Sequence, residues 1–510
     1  MEKRHIRSRI TTLAGAAAIG IFAIASPATA AFAEAPAYGN IDPDATGSLN
    51  IHKYLHQDGT TVGDLSGVTD PGFTDPVADV EFTVYPLIKA GDTGPLDLTV
   101  QENWNGLDAL VPGAGCTAPN GYTLGTGVPM PLTDATGLST IDLDLGLYQV
   151  CETDAPAVIV ERALPFIVTI PMPFEGGWVY DVHAYPKNGE GSITKTIEAQ
   201  EDLAIGSVVR FPTTVPVPTM QGAWTGFGIK DTLDTRLTPV AASAITVTVG
   251  GVALDPTFYT PNVTGQTMSI DFTSAGIAWL NEGPNDHVSE EITVTFAGTV
   301  NSIGNGVIAN TAEFWPNNPG FDPNGQPPMP SNQVRTNWGA FDLTKYALND
   351  AAEVPLANAS FELYEAEVPY GATCDVAIAA GAQPISIGGQ TTFTTDSNGQ
   401  ISFAGLFVSD SVNPIIDSPT RCYVLKETAA PAGYVLPTGT EALTAVTLTI
   451  GSTSTVDNVK IENVQQSVPN LPLTGAAGQV LLIAAGVSAA AVAGGLVLMR
   501  RRKENAAAAN

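Results

Sequence analysis

The chain has 510 residues and a formal net charge of −30, with 21 Lys+Arg against 51 Asp+Glu. That acidity excludes nucleic acid and anionic lipid as partners and suits a soluble extracellular surface. Five histidines, with no HExxH, GxSxG or phosphate-cradling glycine loop, leave no constellation for turnover catalysis, and no cofactor is expected.

The chain opens with Lys3, Arg4, Arg7 and Arg9, then an apolar run from Ile10 to Ala25. Ala28-Thr29-Ala30 and Ala31-Phe32-Ala33 follow, so residues 1–33 read as a secretory signal peptide cleaved after Ala30 or Ala33. Beyond them Val, Thr and Ile alternate with polar residues, and Gly, Pro, Asn and Asp punctuate at short intervals. This pattern predicts an all-β chain of three tandem Ig-like β-sandwich domains. A faint repeat sets their register: Gly47-Ser48-Leu49-Asn50-Ile51-His52-Lys53, Gly191-Ser192-Ile193-Thr194-Lys195 and Gly339-Ala340-Phe341-Asp342-Leu343-Thr344-Lys345. Each reads as a first strand, giving domains at 34–189, 190–336 and 337–466.

Four cysteines fit an oxidising compartment and can pair in three ways. Cys116 with Cys151, and Cys374 with Cys422, keeps each pair inside one domain and is preferred.

Strand parity turns all three repeat lysines inward. Lys53 shares a face with Leu49 and Ile51, Lys195 with Ile193 and Ile197, and Lys345 with Phe341 and Leu343. An unpaired ammonium in an apolar site is costly, so each needs a partner. Later strands offer inward carboxyls and asparagines: Glu152 and Asn188, Asp231 and Asn310, Glu427 and Asn463. Tyr148 to Pro156 repeats the Tyr/Glu-Thr/Ala-Pro frame of Tyr423 to Pro431. A buried Lys–carboxylate pair alone would satisfy one such lysine; three repeats favour a shared chemistry.

The first domain ends in Trp178-Val179-Tyr180-Asp181-Val182-His183-Ala184-Tyr185-Pro186-Lys187. Here Val182 and Ala184 face in, and His183, Tyr185 and Lys187 face out. Asp322 and Asn324, in the Pro/Asn-rich stretch 316–332, form a turn that is also a weak calcium candidate. At the far end Leu471-Pro472-Leu473-Thr474-Gly475 (within linker 467–475) precedes an apolar run, Val480 to Met499, and then Arg500, Arg501, Arg502 and Lys503. Twenty apolar residues can span a bilayer, with the basic cluster kept in the cytoplasm. Segment 476–510 is therefore read as a transmembrane helix and basic tail.

The pentapeptide, span and basic stop resemble the sorting signal of Gram-positive surface proteins. The resemblance implies cleavage between Thr474 and Gly475 by a sortase, which passes the Thr474 acyl group to an amine. The Trp178–Lys187 stretch resembles the pilin motif WxxxVxVYPK, with Ala184 where valine is usual. The lysine-bearing domains resemble collagen-adhesin-type pilin domains closed by Lys–Asn isopeptide bonds, the middle one A-type and the third, with its E-box, B-type. The chain is thus similar to major (shaft) pilins of sortase-assembled pili, and most like fimbrial shaft subunits of oral actinomycetes.

That resemblance implies Lys187 joined to Thr474 of a neighbour, with bonds Lys195–Asn310 (acid Asp231) and Lys345–Asn463 (acid Glu427). Lys53–Asn188 (acid Glu152) is the first-domain candidate, the alternative being a domain held by Cys116–Cys151 alone. Implied partners are further copies of the chain, a pilin-specific sortase, a housekeeping sortase with peptidoglycan, and a tip pilin. A secreted, cell-wall-anchored adhesive fimbria follows, its host receptor unspecified. The competing expectation is a monomeric wall-anchored adhesin in which Lys187 is unused.

Overall fold

The computed structural model describes residues 41–467 apart from 57–64, 68–70, 114, 175, 221, 284–285 and 452–458, and beyond them only 487, 492 and 495–502. The signal segment, the Leu471–Gly475 motif and most of the apolar run after it lie outside the described residues. Among the described residues no helix is long and apolar enough to cross a membrane.

The described chain is almost wholly β, and alternation decides which face each strand buries. Gly47–His52 runs between antiparallel Leu138–Leu143 and parallel Asp181–Ala184. Its inward Leu49 and Ile51 meet Phe82 and Val84 of Glu81–Lys89 and Val150 of Gly146–Asp154. The outer face of that second sheet is also covered. Leu96 and Leu98 of an intervening segment pack on Leu87 and Leu147, and the Cys116–Cys151 disulfide ties the segment down. A small sheet, Tyr54–Leu55, Lys187–Glu190 and Ile159–Glu161, closes this end.

Next, Val208–Pro216 pairs with Glu291–Val300, and this sheet faces Phe227–Thr232 with its neighbours Thr267–Phe272 and Ala312–Pro316. Phe211, Phe227, Phe296 and Phe314 fill the space between, all fully buried. Burying each such side chain stabilises the fold by roughly 1.5–3 kcal/mol. One short helix, Ser274–Leu280, interrupts the strands, capped by the Thr273 side chain.

The sixteen-residue strand Val334–Asn349 then runs through two cores. Its start pairs with Val307–Asn310 and its remainder with Gln400–Asp410 and parallel Val459–Glu462. The expected division at 336/337 therefore falls inside one continuous strand. Trp338, fully buried just beyond it, packs in the second core and touches Phe407 at 5.6 Å between centroids. Register shifts at Asn337/Trp338 and Gly339/Phe341 accompany the change of pairing partner while the strand runs on. The last sheet, Ser360–Glu365, Thr420–Ala429 and Leu443–Thr449, completes the third core, and Cys374–Cys422 pins its outer side.

Candidate functional site

Three lysines lie at the ends of inward-facing rows, and each meets a carboxylate that also holds an asparagine. Lys345 is 0% exposed. Its Nζ lies 2.8 Å from Glu427 Oε2 and 2.5 Å from Asn463 Oδ1, while Asn463 Nδ2 donates to Glu427 Oε1 at 2.7 Å. Parallel pairing of Lys345 with Ile461 sets this register. Burial lowers the Lys345 pKa, against the hydrogen bond and charge of Glu427.

In the middle unit, Lys195 Nζ lies 2.6 Å from Asp231 Oδ2 and 3.4 Å from Thr213 Oγ1. Asn310 Nδ2 donates to the same Asp231 oxygen at 3.1 Å. Burial lowers Lys195 and raises Asp231. Both shifts favour the neutral pair. Asp231 Oδ1 and Asn310 Oδ1 are buried without a hydrogen-bond partner.

In the first unit, Glu152 Oε2 accepts from Lys53 Nζ and from the Ala163 N–H, both at 2.9 Å, and Oε1 accepts from Asn188 Nδ2 at 2.9 Å. Burial pushes Lys53 down to about 8, against the pull of Glu152. A lysine near 10.4 is neutral in only about one molecule in 2,500 at pH 7. In all three lysines desolvation works in the same direction, towards the neutral amine.

Lys187 differs from all three. It points away from the core, while its neighbour Asn188 is fully buried. It does not stand open to solvent: the ammonium lies 3.5 Å from the centroid of the Phe73 ring, whose edge meets Tyr185 at 5.8 Å. Tyr185 in turn stacks on His52 at 4.8 Å. The segment carrying Phe73 is held on this face by Leu55 N–H donating to Asp75 O and by Gly67 lying against the His183 ring. Burial accordingly lowers the Lys187 pKa. Strand parity gave the lysine's direction, but the loop that covers it carries no periodicity.

Asp322 Oδ1 accepts from Asn324 N–H at 2.9 Å, and the Asn318 side chain accepts from Asp322 N–H and donates to Asp322 O, both at 2.8 Å. That is a self-contained turn. Among the described residues no group of three His, Cys, Asp or Glu could hold a metal ion.

Residues 44–189 match the family of the Gram-positive pilin subunit D1, N-terminal domain; 340–464 match a prealbumin-like fold domain; and 463–506 match the LPXTG cell wall anchor motif. Over 517 residues the chain is 38% identical to "Fimbrial subunit type 2" of Actinomyces naeslundii, covering 93% of each. The chain belongs to the Gram-positive pilins.

It is 30% identical to "Fimbrial subunit type 1" of Actinomyces viscosus, over 93% of this chain and 94% of that one. The full-length major pilin SpaD of Corynebacterium diphtheriae has a similar structure, with a TM-score of 0.63 at 28% identity, over 84% of this chain and all of that one. As a pilin, the protein is a secreted shaft subunit of a sortase-assembled pilus, and it is anchored to the cell wall through its LPXTG signal. Its role is structural. In this pilin, sequence reasoning missed Phe73 over Lys187, Thr213 beside Lys195 and the Ala163 N–H on Glu152. The first and third are loop contacts set only by tertiary folding. Thr213 could have been found, because it lies inward on a strand opposite Lys195.

Proposed function

We propose that Lys187 Nζ is the amine acylated by Thr474 of the neighbouring subunit, and that the three buried lysines form intramolecular amides. A pilin-specific sortase would make the first bond, and a housekeeping sortase would attach the finished fibre, capped by a tip pilin, to peptidoglycan. The internal bonds are Lys195–Asn310, Lys345–Asn463 and Lys53–Asn188, with Asp231, Glu427 and Glu152 as the acids. Sandwich units at 34–189, 190–336 and 337–466 would each carry one, the last two joined through the strand Val334–Asn349.

The contact that carries this reading is Lys345 Nζ, 2.5 Å from Asn463 Oδ1 and 2.8 Å from Glu427, with all three side chains buried. The neutral amine attacks Asn463 Cγ; the carboxyl polarises the carbonyl and shuttles a proton to the leaving nitrogen. A Lys–NH–CO–Asn amide forms and one ammonia departs. Contact within the fold replaces an external catalyst with effective molarity, and each reaction occurs once, so this is maturation rather than turnover.

Intact mass of the natively prepared mature protein tests the internal bonds, which each remove one ammonia. Peptide mapping that recovers Lys195 and Lys345 as free, acetylatable side chains would refute them. For the polymer, Lys187→Ala should abolish the SDS-resistant high-mass ladder from wall extracts. A Lys187→Ala chain with an undiminished ladder, or a wild-type chain that reaches the wall only as monomer, favours the monomeric adhesin instead.

A further inference from the structure

The first and third reactive lysines are held by the same backbone device, and the middle one by a side chain that imitates it. Lys53 N–H donates to Gly137 O at 2.8 Å, and Lys53 O accepts from Val77 N–H at 3.0 Å. Lys345 N–H donates to Gly399 O at 2.7 Å, and Lys345 O accepts from Leu356 N–H at 2.9 Å. Both glycines close a Thr-Asp-x-x-Gly turn, Thr133 to Gly137 and Thr395 to Gly399. Both have positive φ, 78° and 72°, and at both a Cβ would run into the lysine carbonyl oxygen. Only glycine fits.

The rest of each turn ties the second hydrogen-bonding partner to the first. Thr133 Oγ1 donates to Val77 O at 2.8 Å and accepts from Val80 N–H at 2.9 Å. Thr395 Oγ1 does the same with Leu356 O and Ala359 N–H, at 2.8 and 2.9 Å. Asp134 and Asp396 brace the turns from within, each accepting two backbone N–H groups. These bonds close a ring: lysine to glycine, along the turn to threonine, from threonine to the segment that returns to the lysine carbonyl.

The middle unit has no such turn at Lys195, whose strand is only two residues long. There one carboxamide supplies both partners. Asn332 Oδ1 accepts from Lys195 N–H at 2.8 Å, and Asn332 Nδ2 donates to Lys195 O at 2.9 Å. Asn332 thus mimics an adjacent strand.

We propose that the Thr133–Gly137 and Thr395–Gly399 turns and Asn332 are positioning elements for amide formation, fixing each lysine backbone so that its amine meets carboxyl and carboxamide together. This rests on the internal amide reading above. The lysine has four flexible methylenes, so the only fixed point from which Nζ can be aimed is its own N–Cα–C unit. Loosening that unit sacrifices the near-attack geometry on which the rate depends.

The test is the time course of ammonia loss in freshly produced full-length protein, with each bond located by peptide mapping. Thr395→Val, which keeps shape but loses the hydroxyl, should slow closure of Lys345–Asn463 at least about tenfold, and Thr395→Ser should restore it. Asn332→Ala should slow Lys195–Asn310 comparably while leaving Lys345–Asn463 at its wild-type rate. That undisturbed bond also reports that the chain has folded. The same substitutions in a background carrying Asn463→Ala or Asn310→Ala separate positioning from stability. Lowered thermal stability there, with wild-type closure rates in the reactive chain, overturns the proposal. So does a Thr395→Ser chain as slow as Thr395→Val. If the unaltered protein loses no ammonia at all, it is the amide reading that fails.

Discussion

Lys187 lies against Phe73, its ammonium 3.5 Å from the ring centroid. The ring partly removes the amine from water, and that burial holds the lysine below its ordinary pKa. Lys460 is the opposite case: it is exposed and paired with Glu353 at 2.8 Å, which raises it. Acetylation followed across pH by peptide mass spectrometry should therefore show Lys187 reaching half-reaction at lower pH than Lys460. Phe73→Ala should move the Lys187 midpoint upward, towards the usual lysine range. If Lys460 reacts first in the unaltered protein, Phe73 does not tune this amine.

Lys53 gives a pH dependence with a definite sign. In the unlinked fold its pKa sits at about 8, against 10.5 for the free side chain. Between those values the unfolded chain binds the extra proton, so stability must rise as pH rises. An Asn188→Ala chain, which cannot close this bond, should show its first unfolding transition moving to higher temperature from pH 8 towards pH 10. Calorimetry that finds the reverse slope would mean the amine is charged in the fold across that range.

The three centres should not close at the same rate. Glu152 Oε2 already accepts from the Ala163 N–H as well as from Lys53. A proton placed on that oxygen would face the Ala163 N–H, donor against donor. Among the described residues neither Asp231 nor Glu427 accepts a backbone N–H on its carboxyl, and Asp231 Oδ1 has no partner at all. The first-domain bond should therefore form last, and an intact-mass time course on newly made protein should show two ammonia losses before the third. Closure of Lys53–Asn188 ahead of the others would remove any role for Ala163.

Much of this was legible because a strand reports its burial through parity. Leu49, Ile51 and Lys53 share a face, and so do Phe341, Leu343 and Lys345, whatever the rest of the fold does. All of them are buried. The E-box frame likewise announces a paired tyrosine and glutamate. What periodicity cannot carry is a contact made by a loop. Phe73, Ala163 and the two Thr-Asp-x-x-Gly turns act through backbone groups and non-periodic segments. The turns did leave a signal, a Thr-Asp-x-x-Gly string repeated in two units, but its meaning depends on a lysine more than fifty residues away. The continuous strand Val334–Asn349 was hidden for another reason: its register slips between Asn337 and Phe341, so the buried parity passes from Val334 and Trp338 to Phe341 and Leu343, and in a sequence that reads as one strand ending and another beginning.

Tension along the fibre would enter each subunit at Lys187 and leave at Thr474, and the proposed bonds decide which residues feel it. From Lys187 the path runs to Lys195, crosses to Asn310, continues to Lys345, crosses to Asn463 and leaves through the sorting linker. Residues before Lys187 lie off this path, together with the Cys116–Cys151 disulfide. Between the two crossings only residues 311–344 can lengthen, by roughly 120 Å of contour. Pulling single chains between positions 187 and 474 should give no longer step than that in the unaltered protein. Asn310→Ala should add the shielded segment 196–309, on the order of 400 Å. Replacing Cys116 with serine should add nothing, although it weakens the first domain by about 3 kcal/mol. In the natively linked polymer pulled end to end, a longer extension per subunit on losing that disulfide would put the first domain in the line of force, and the attachment point would then have to lie upstream of Lys187.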